Sequence, residues 1–236
     1  MTAKLDPGLL DKMAGAQKYD ADYFQTRQGN DALRRETFLR EKRLLERRLR
    51  PDVFLKGSVM DVGCSTGEFL TTIGWDLSKA FGMEIAEFAR QRAKGAGISF
   101  DRDVFSEKDF FDLVVFRGTI QYLPNPFEHL YAAHRALKPG GCLFLTSPNT
   151  NSPYYRLFKT LPFLEEEIHF WIPCDTSLRM VLRNCGFRKI EITYPYLDSP
   201  YAKPVRDHVL FLAKLLFRTG HRFPFWRNVM YVFAEK

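Results

Sequence analysis

Between residues 57 and 149, short apolar runs alternate with segments of helical spacing, and few architectures satisfy that order. The runs are GSVMDVG at 57–63, AFGMEI at 80–85, GISF at 97–100, FFDLVVFRG at 110–118 and CLFLTSPN at 142–149. FFDLVVFRG reads as a continuous apolar strand, the kind a parallel sheet buries on both faces. Between the runs a helix begins near Thr66, AEFARQRAKG is a helix that Gly95 can end, and PFEHLYAAHRAL is one opened by Pro126. LKPGG at 137–141 is a turn. KIEITYPY and NVMYVFAEK add two later strands, for seven in all. The order predicts an α/β fold: a doubly wound, mostly parallel, seven-stranded, Rossmann-like sheet with helices on both faces. Ligands of such sheets bind beyond the carboxyl ends of the strands.

Ahead of the sheet, DALRRETFLREKRLLERRL at 31–49 places Phe38, Leu45 and Leu49 at helical spacing and stops before Pro51. Later helices are expected over 175–187, capped by Asp175 or Thr176, and over 209–220. A chain of 236 residues is most simply one domain. We divide it into an N-terminal helical lid (1–50), a core (55–150) and an acceptor-side half (151–236) with a helical insertion at 196–228. Phe supplies 22 residues of a 15% aromatic content, so the chain packs a thick core or keeps apolar surface for a ligand or interface.

The net charge of +7 is uneven. Residues 34–50 hold eight basic residues against three Glu, and 200–236 hold seven against two acids, which leaves the remainder at −3. Such clusters suit an anionic substrate, nucleic acid, an acidic membrane surface or plain solvated helix faces. Cys64, Cys142, Cys174 and Cys185 form no CxxC pair, which argues against a structural zinc site or disulfide framework, and no metal site is expected. The first residues are too polar for a signal peptide and no run could cross a bilayer, so the expected location is cytoplasmic.

The first strand runs into VMDVGCSTGEFL at 59–70. Asp61, Gly63 and Gly67, with Ser65 at a position where a central glycine is common, resemble the first motif of class I S-adenosylmethionine-dependent methyltransferases. Three further features strengthen the resemblance: Glu84 closing the second strand, DRDV at 101–104 after the third, and FDLVVFRGTIQYLPNP around the fourth. The match covers roughly residues 55–190. It implies the methyltransferase version of the Rossmann-like fold, with S-adenosyl-L-methionine as cofactor. Glu84 would then accept the ribose hydroxyls and Asp103 the adenine amine, with Val104 packing on the base. The turn from Gly63 to Gly67 would close round the methionine portion. A sulfonium cofactor has no phosphate, and GxxxxGK[ST] is absent; carboxylates suit its diol and amine because they only accept hydrogen bonds. A nicotinamide site would need glycine at Ser65 and Glu68, and neither is glycine.

Members of this family often carry a histidine after the fourth strand, where this chain has Tyr122, a poor base at an ordinary pKa of about 10. Tyr122 could orient an acceptor instead. His169, in EEEIHFW, is the candidate general base, with Glu165, Glu166 or Glu167 near enough in sequence to orient it. His129 and His134 fall on the helix after strand four and are expected on its outer face. Tyr19, Tyr23 and Phe24 resemble the family's N-terminal lid, and Tyr23 would help cover the cofactor. The acceptor expected is a small or lipid-linked molecule, a sugar or phenolic hydroxyl ahead of an amine. The alternatives are a tRNA or other nucleic-acid methyltransferase and a catalytically inactive interaction protein. The insertion 196–228 could cap the acceptor, line a homodimer interface or contact a membrane peripherally.

Overall fold

The protein is described by a computed structural model covering residues 31–161, 169–221 and 223–236. The lid residues Tyr19, Tyr23 and Phe24, and Glu165 to Glu167, lie outside the described residues. The elements in order are α1 (Asp31–Arg48), β1 (Val59–Val62), α2 (Glu68–Ile73), β2 (Ala80–Met83), α3 (Glu87–Gly95) and β3 (Phe111–Arg117). Then follow α4 (Pro126–Ala136), β4 (Leu137–Pro148), α5 (Pro153–Phe158), α6 (Asp175–Asn184), β5 (Arg188–Thr193), α7 (Pro204–Phe217) and β6 (Val229–Glu235).

One sheet has the order β2-β1-β3-β4-β6-β5. The four strands β2, β1, β3 and β4 are parallel, and β6 runs antiparallel between β4 and β5. The strands therefore number six among the described residues, one fewer than the sequence predicts. GISF contributes a single parallel bridge, Ser99 to Phe81, held by Ser99 N to Ala80 O at 2.9 Å and Gly82 N to Ser99 O at 2.8 Å. Only one residue of that run pairs before Asp101 turns the chain towards the Asp103 turn, so no ladder develops.

Period-two alternation divides each central strand between two cores. Val114 and Phe116 of β3 join Leu143, Leu145 and Val232 beneath α4 and α6, through Leu130, Ala133, Leu178 and Leu182. Leu113 and Val115 point the other way, with Phe144 and Phe233, and meet Phe38 and Leu45 of α1 and Phe69, Leu70 and Ile73 of α2. Helices thus cover both faces, as the continuous apolar run of β3 requires.

Other boundaries shift for local reasons. LKPGG is absorbed into β4, because Leu137 already pairs with Phe111 before an irregularity in the register. The helix expected over 209–220 starts at Pro204, whose missing N–H costs nothing at a first helical position.

Asp175 fastens the second half. Its carboxylate accepts from Tyr194 Oη at 2.6 Å, Asn151 Nδ2 at 2.8 Å, Thr176 N at 2.8 Å and Arg227 Nη2 at 2.6 Å. Burial works to raise this carboxyl, but bonds from Tyr194, Asn151 and Arg227 outweigh it and hold it well below the usual range. Asp175→Ala should lower unfolding free energy by about 2–4 kcal/mol at neutral pH in urea titrations. The group's contribution is present above pH 3.8, its ordinary value, and fades as pH falls below that. The deficit of the variant should shrink in the same window.

Candidate functional site

The site is built where β1 stops. Gly63 N and Cys64 N donate to Met83 O at 2.7 and 3.1 Å, so the turn leaving β1 lies against the end of β2. Gly63 has φ +76°, and a Cβ there would stand 2.5 Å from Thr119 Oγ1 and Cγ2. Glycine is required on both counts. Ser65 takes φ +52°, a left-handed conformation that a side chain enters at some cost. That backbone aims Ser65 N–H at Glu84 Oε2, 3.0 Å away, while Ala86 N donates to Glu84 Oε1 at 2.9 Å. Each carboxylate oxygen keeps a second lone pair for a ligand.

Above this turn a cleft of about 790 Å³ opens along the carboxyl ends of the parallel strands. Asp61, Gly63, Ser65, Glu84, Asp103 and Tyr122 all line it, although their positions span 61 residues of sequence. Gly67 stands at the entry to α2, with φ +76°, and ends the turn by donating to Cys64 O at 2.9 Å. Asp103 Oδ1 accepts from Phe105 N and Ser106 N, both at 2.7 Å, which fixes its turn and leaves the other oxygen available to a ligand. Val104, by contrast, is fully buried in the α4-side core and does not line the cleft. It supports the Asp103 turn from below, and the expected packing on a base does not follow from its position.

Asp61 is the electrostatic centre. It is buried in mid-strand, and its Oδ1 has no hydrogen-bond partner among the described residues. Burial pushes its carboxyl up to about 7; Arg117 opposes that rise, and Glu84 and Glu41 add to it. Arg117 ends β3 and pairs through Nε with Glu41 Oε2 of α1 at 2.6 Å, its guanidinium 4.3 Å from the centre of the Phe38 ring. Phe38 meets Phe69 of α2 edge-on at 5.5 Å, and Arg34 Nε pairs with Glu68 Oε2 at 2.9 Å. Together these contacts hold α1 along one wall of the cleft.

Tyr122 and His169 meet, with ring centroids 5.0 Å apart and planes tilted by 32°. The segment after His169 is held there because Phe170 N donates to Gln121 O at 2.9 Å. Tyr122 lines the cleft and His169 stands behind it. His129, expected on an outer helix face, is half-buried at the cleft edge, its Nδ1 2.8 Å from Asn125 O. Two wall residues were not singled out from the sequence. Ile85 is 74% exposed at the cleft, and its signal is an apolar residue directly after the strand-end acid. Arg117 gives no such signal, because its partner lies 76 residues away.

These residues fit an adenosyl sulfonium cofactor. An orphaned, buried acid suits a cation, the Gly63 turn leaves no room for a Cβ, and two further carboxylates stand ready for hydroxyl and amine donors. Similarity to known proteins agrees. A protein-family model described as "Methyltransferase domain" matches residues 33–192. A SAM-dependent methyltransferase of Thermotoga maritima, described as a possible histamine N-methyltransferase, shares the fold at TM-score 0.62 and 18% identity, over 91% of this chain and 96% of that one. A SAM-dependent methyltransferase of Archaeoglobus fulgidus superposes at TM-score 0.60 and 20% identity, over 92% of this chain and all of its own. The ubiquinone biosynthesis O-methyltransferase of Thiobacillus denitrificans is 30% identical over 113 residues, 42% of this chain and 47% of that relative. The chain thus spans about half the length of the curated relatives it matches. With the family model covering more than half of its length, the chain belongs to the class I S-adenosylmethionine-dependent methyltransferases.

Proposed function

We propose that the protein transfers a methyl group from S-adenosylmethionine to a hydroxyl of a small-molecule acceptor, a phenolic one ahead of a sugar. The observation that carries this reading is one cleft lined by Asp61, Glu84, Asp103 and Tyr122, with His169 packed against the Tyr122 ring. The name of the Thiobacillus relative, a ubiquinone biosynthesis O-methyltransferase, supports oxygen as the attacking atom. A nucleic-acid acceptor would have to draw on the basic helix α1, three of whose seven cations, Arg34, Arg40 and Arg48, are engaged with Glu68, Glu36 and Glu191.

When bound, the cofactor supplies an electrophilic methyl on a sulfonium. Glu84 would receive the ribose hydroxyls, Asp103 the adenine amine, and Ile85 would give an apolar surface to the base. Ionised Asp61 offsets the positive charge of the methionine end. Gly63 and Ser65 bring backbone close enough to exclude water there, which matters for a reaction whose transition state loses charge. Tyr122 would orient the acceptor hydroxyl, and His169, packed against Tyr122, would take its proton as the methyl passes from sulfur to that oxygen and S-adenosylhomocysteine is left.

Methyl transfer from labelled cofactor to a panel of catechols, hydroxyquinols and sugars tests the assignment. Turnover on a phenol and not on sugars is the expected result, and no turnover on any hydroxyl acceptor would refute it. His169→Ala should reduce kcat by about a hundredfold or more without changing cofactor affinity. An unchanged kcat would remove His169 from the reaction.

Cofactor binding has its own tests. Glu84→Ala should weaken it by about a hundredfold in calorimetric titration, since two charge-assisted hydrogen bonds are lost. Below about pH 7 Asp61 holds a proton that a cationic ligand must displace. Affinity should therefore fall as pH drops below 7, by up to about tenfold per unit, and level off above it. Asp61→Asn should flatten that profile.

A further inference from the structure

Helix α7 is built inside out. Its inward face carries two charges, Asp207 and Lys214, both buried. Asp207 accepts from Tyr196 Oη at 3.0 Å and Lys203 N at 2.8 Å and pairs with Arg206, while Lys214 Nζ donates to Thr219 O at 2.9 Å. Beside them Leu210 and Phe211 pack into an aromatic cluster with Tyr154, Phe158, Phe223 and Phe225. The outward face is apolar. Val205, Val209, Leu212 and Leu216 recur at helical spacing as one stripe opposite the buried charges, and all are exposed, Val205 at 81% and Leu216 at 71%. Phe217, at 75% exposure, extends the apolar surface at the helix end. A helix whose only cover is water does not place its charges inward and its leucines outward.

The charge round this stripe identifies what covers it. Residues 196–228 hold six basic residues and two acids, Asp198 and Asp207; Asp207 pairs with Arg206, Arg227 with Asp175, and Lys214 is buried. Lys203 at one end of the helix and Arg218 at the other are exposed and in no ion pair among the described residues. A second copy docked by two-fold symmetry would set this basic segment against itself. An anionic lipid surface complements it, taking the apolar stripe into the headgroup boundary and the cations against lipid phosphates. At 14 residues α7 is about 21 Å long, and no described helix is long and apolar enough to cross a membrane. It is shaped to lie in the surface.

The place of α7 in the fold gives this a functional sense. The excursion leaves the sheet after Thr193 of β5 and returns at Val229 of β6, which pairs with Pro148. Both points lie on the rim formed by the carboxyl ends of the parallel strands, where the cofactor cleft opens. Arg40 of α1 also donates to Asp198 O, joining the excursion to the cleft wall.

We propose that the outward face of α7 docks the protein on anionic lipid bilayers, presenting the cleft rim to molecules held at the membrane surface. The proposal stands whether the acceptor is a phenol or not. Flotation with vesicles tests it, using phosphatidylcholine alone and phosphatidylcholine with about a third phosphatidylglycerol. The protein should partition onto the anionic vesicles at least about tenfold better than onto the neutral ones. Leu212→Glu/Leu216→Glu, altered only at exposed positions, should lose at least about tenfold of that partition while binding S-adenosylmethionine as before. Failure of the unaltered protein to float with anionic vesicles, or equal flotation of the double variant, would overturn the proposal. So would a dimer in lipid-free solution that the double variant dissociates, which would assign the face to a second copy.

Discussion

The cleft depends on how closely the turn after β1 can approach its neighbours. Two backbone amides at Gly63 and Cys64 share the carbonyl of Met83, and the Gly63 α-carbon lies against Thr119. The parallel register of β1 with β2 and β3 sets those distances, since Val62 pairs with Met83 and Asp61 with Val115. Once the turn is seated, Ser65 N–H reaches Glu84 and Asp61 is sealed in its strand. The carboxylates are therefore placed by sheet hydrogen bonding more than by their own contacts.

Seating the turn has costs that other parts of the fold absorb. A serine holds a conformation that glycine adopts more easily, and an acid lies where burial disfavours its charge. Arg117 relieves the second, yet it is itself shared with Glu41, so α1 is tied electrostatically to the cleft floor. The aromatic pair Phe38–Phe69 adds an apolar clasp to the same wall.

What could be read from the sequence was local. The apolar runs marked β1, β2, β3 and the main part of β4, because burial on both faces removes polar residues from a strand. Asp61 lay within the first apolar run, Glu84 near the end of the second and Asp103 just after the third, and the fold brings all three to one cleft. Val104 was misplaced because a side chain next to a site residue points away from it as readily as towards it. GISF looked like a strand because composition reports burial, and Ile98 is buried, yet pairing needs a neighbour over several residues. The Arg117–Glu41 pair and the inverted polarity of α7 are properties of packing, which periodicity alone does not reveal.

The antiparallel strand β6 has a consequence for how the molecule assembles. Among the described residues β5 finds its only sheet partner in β6, which lies later in the chain and is separated from it by the whole α7 excursion. Closing a loop of that length before any ladder bond forms is entropically slow. The half built from β1 to β4 has consecutive crossovers and can collapse first. The register of β5, and with it the seat of α6, is then decided by a strand that leaves the ribosome after both.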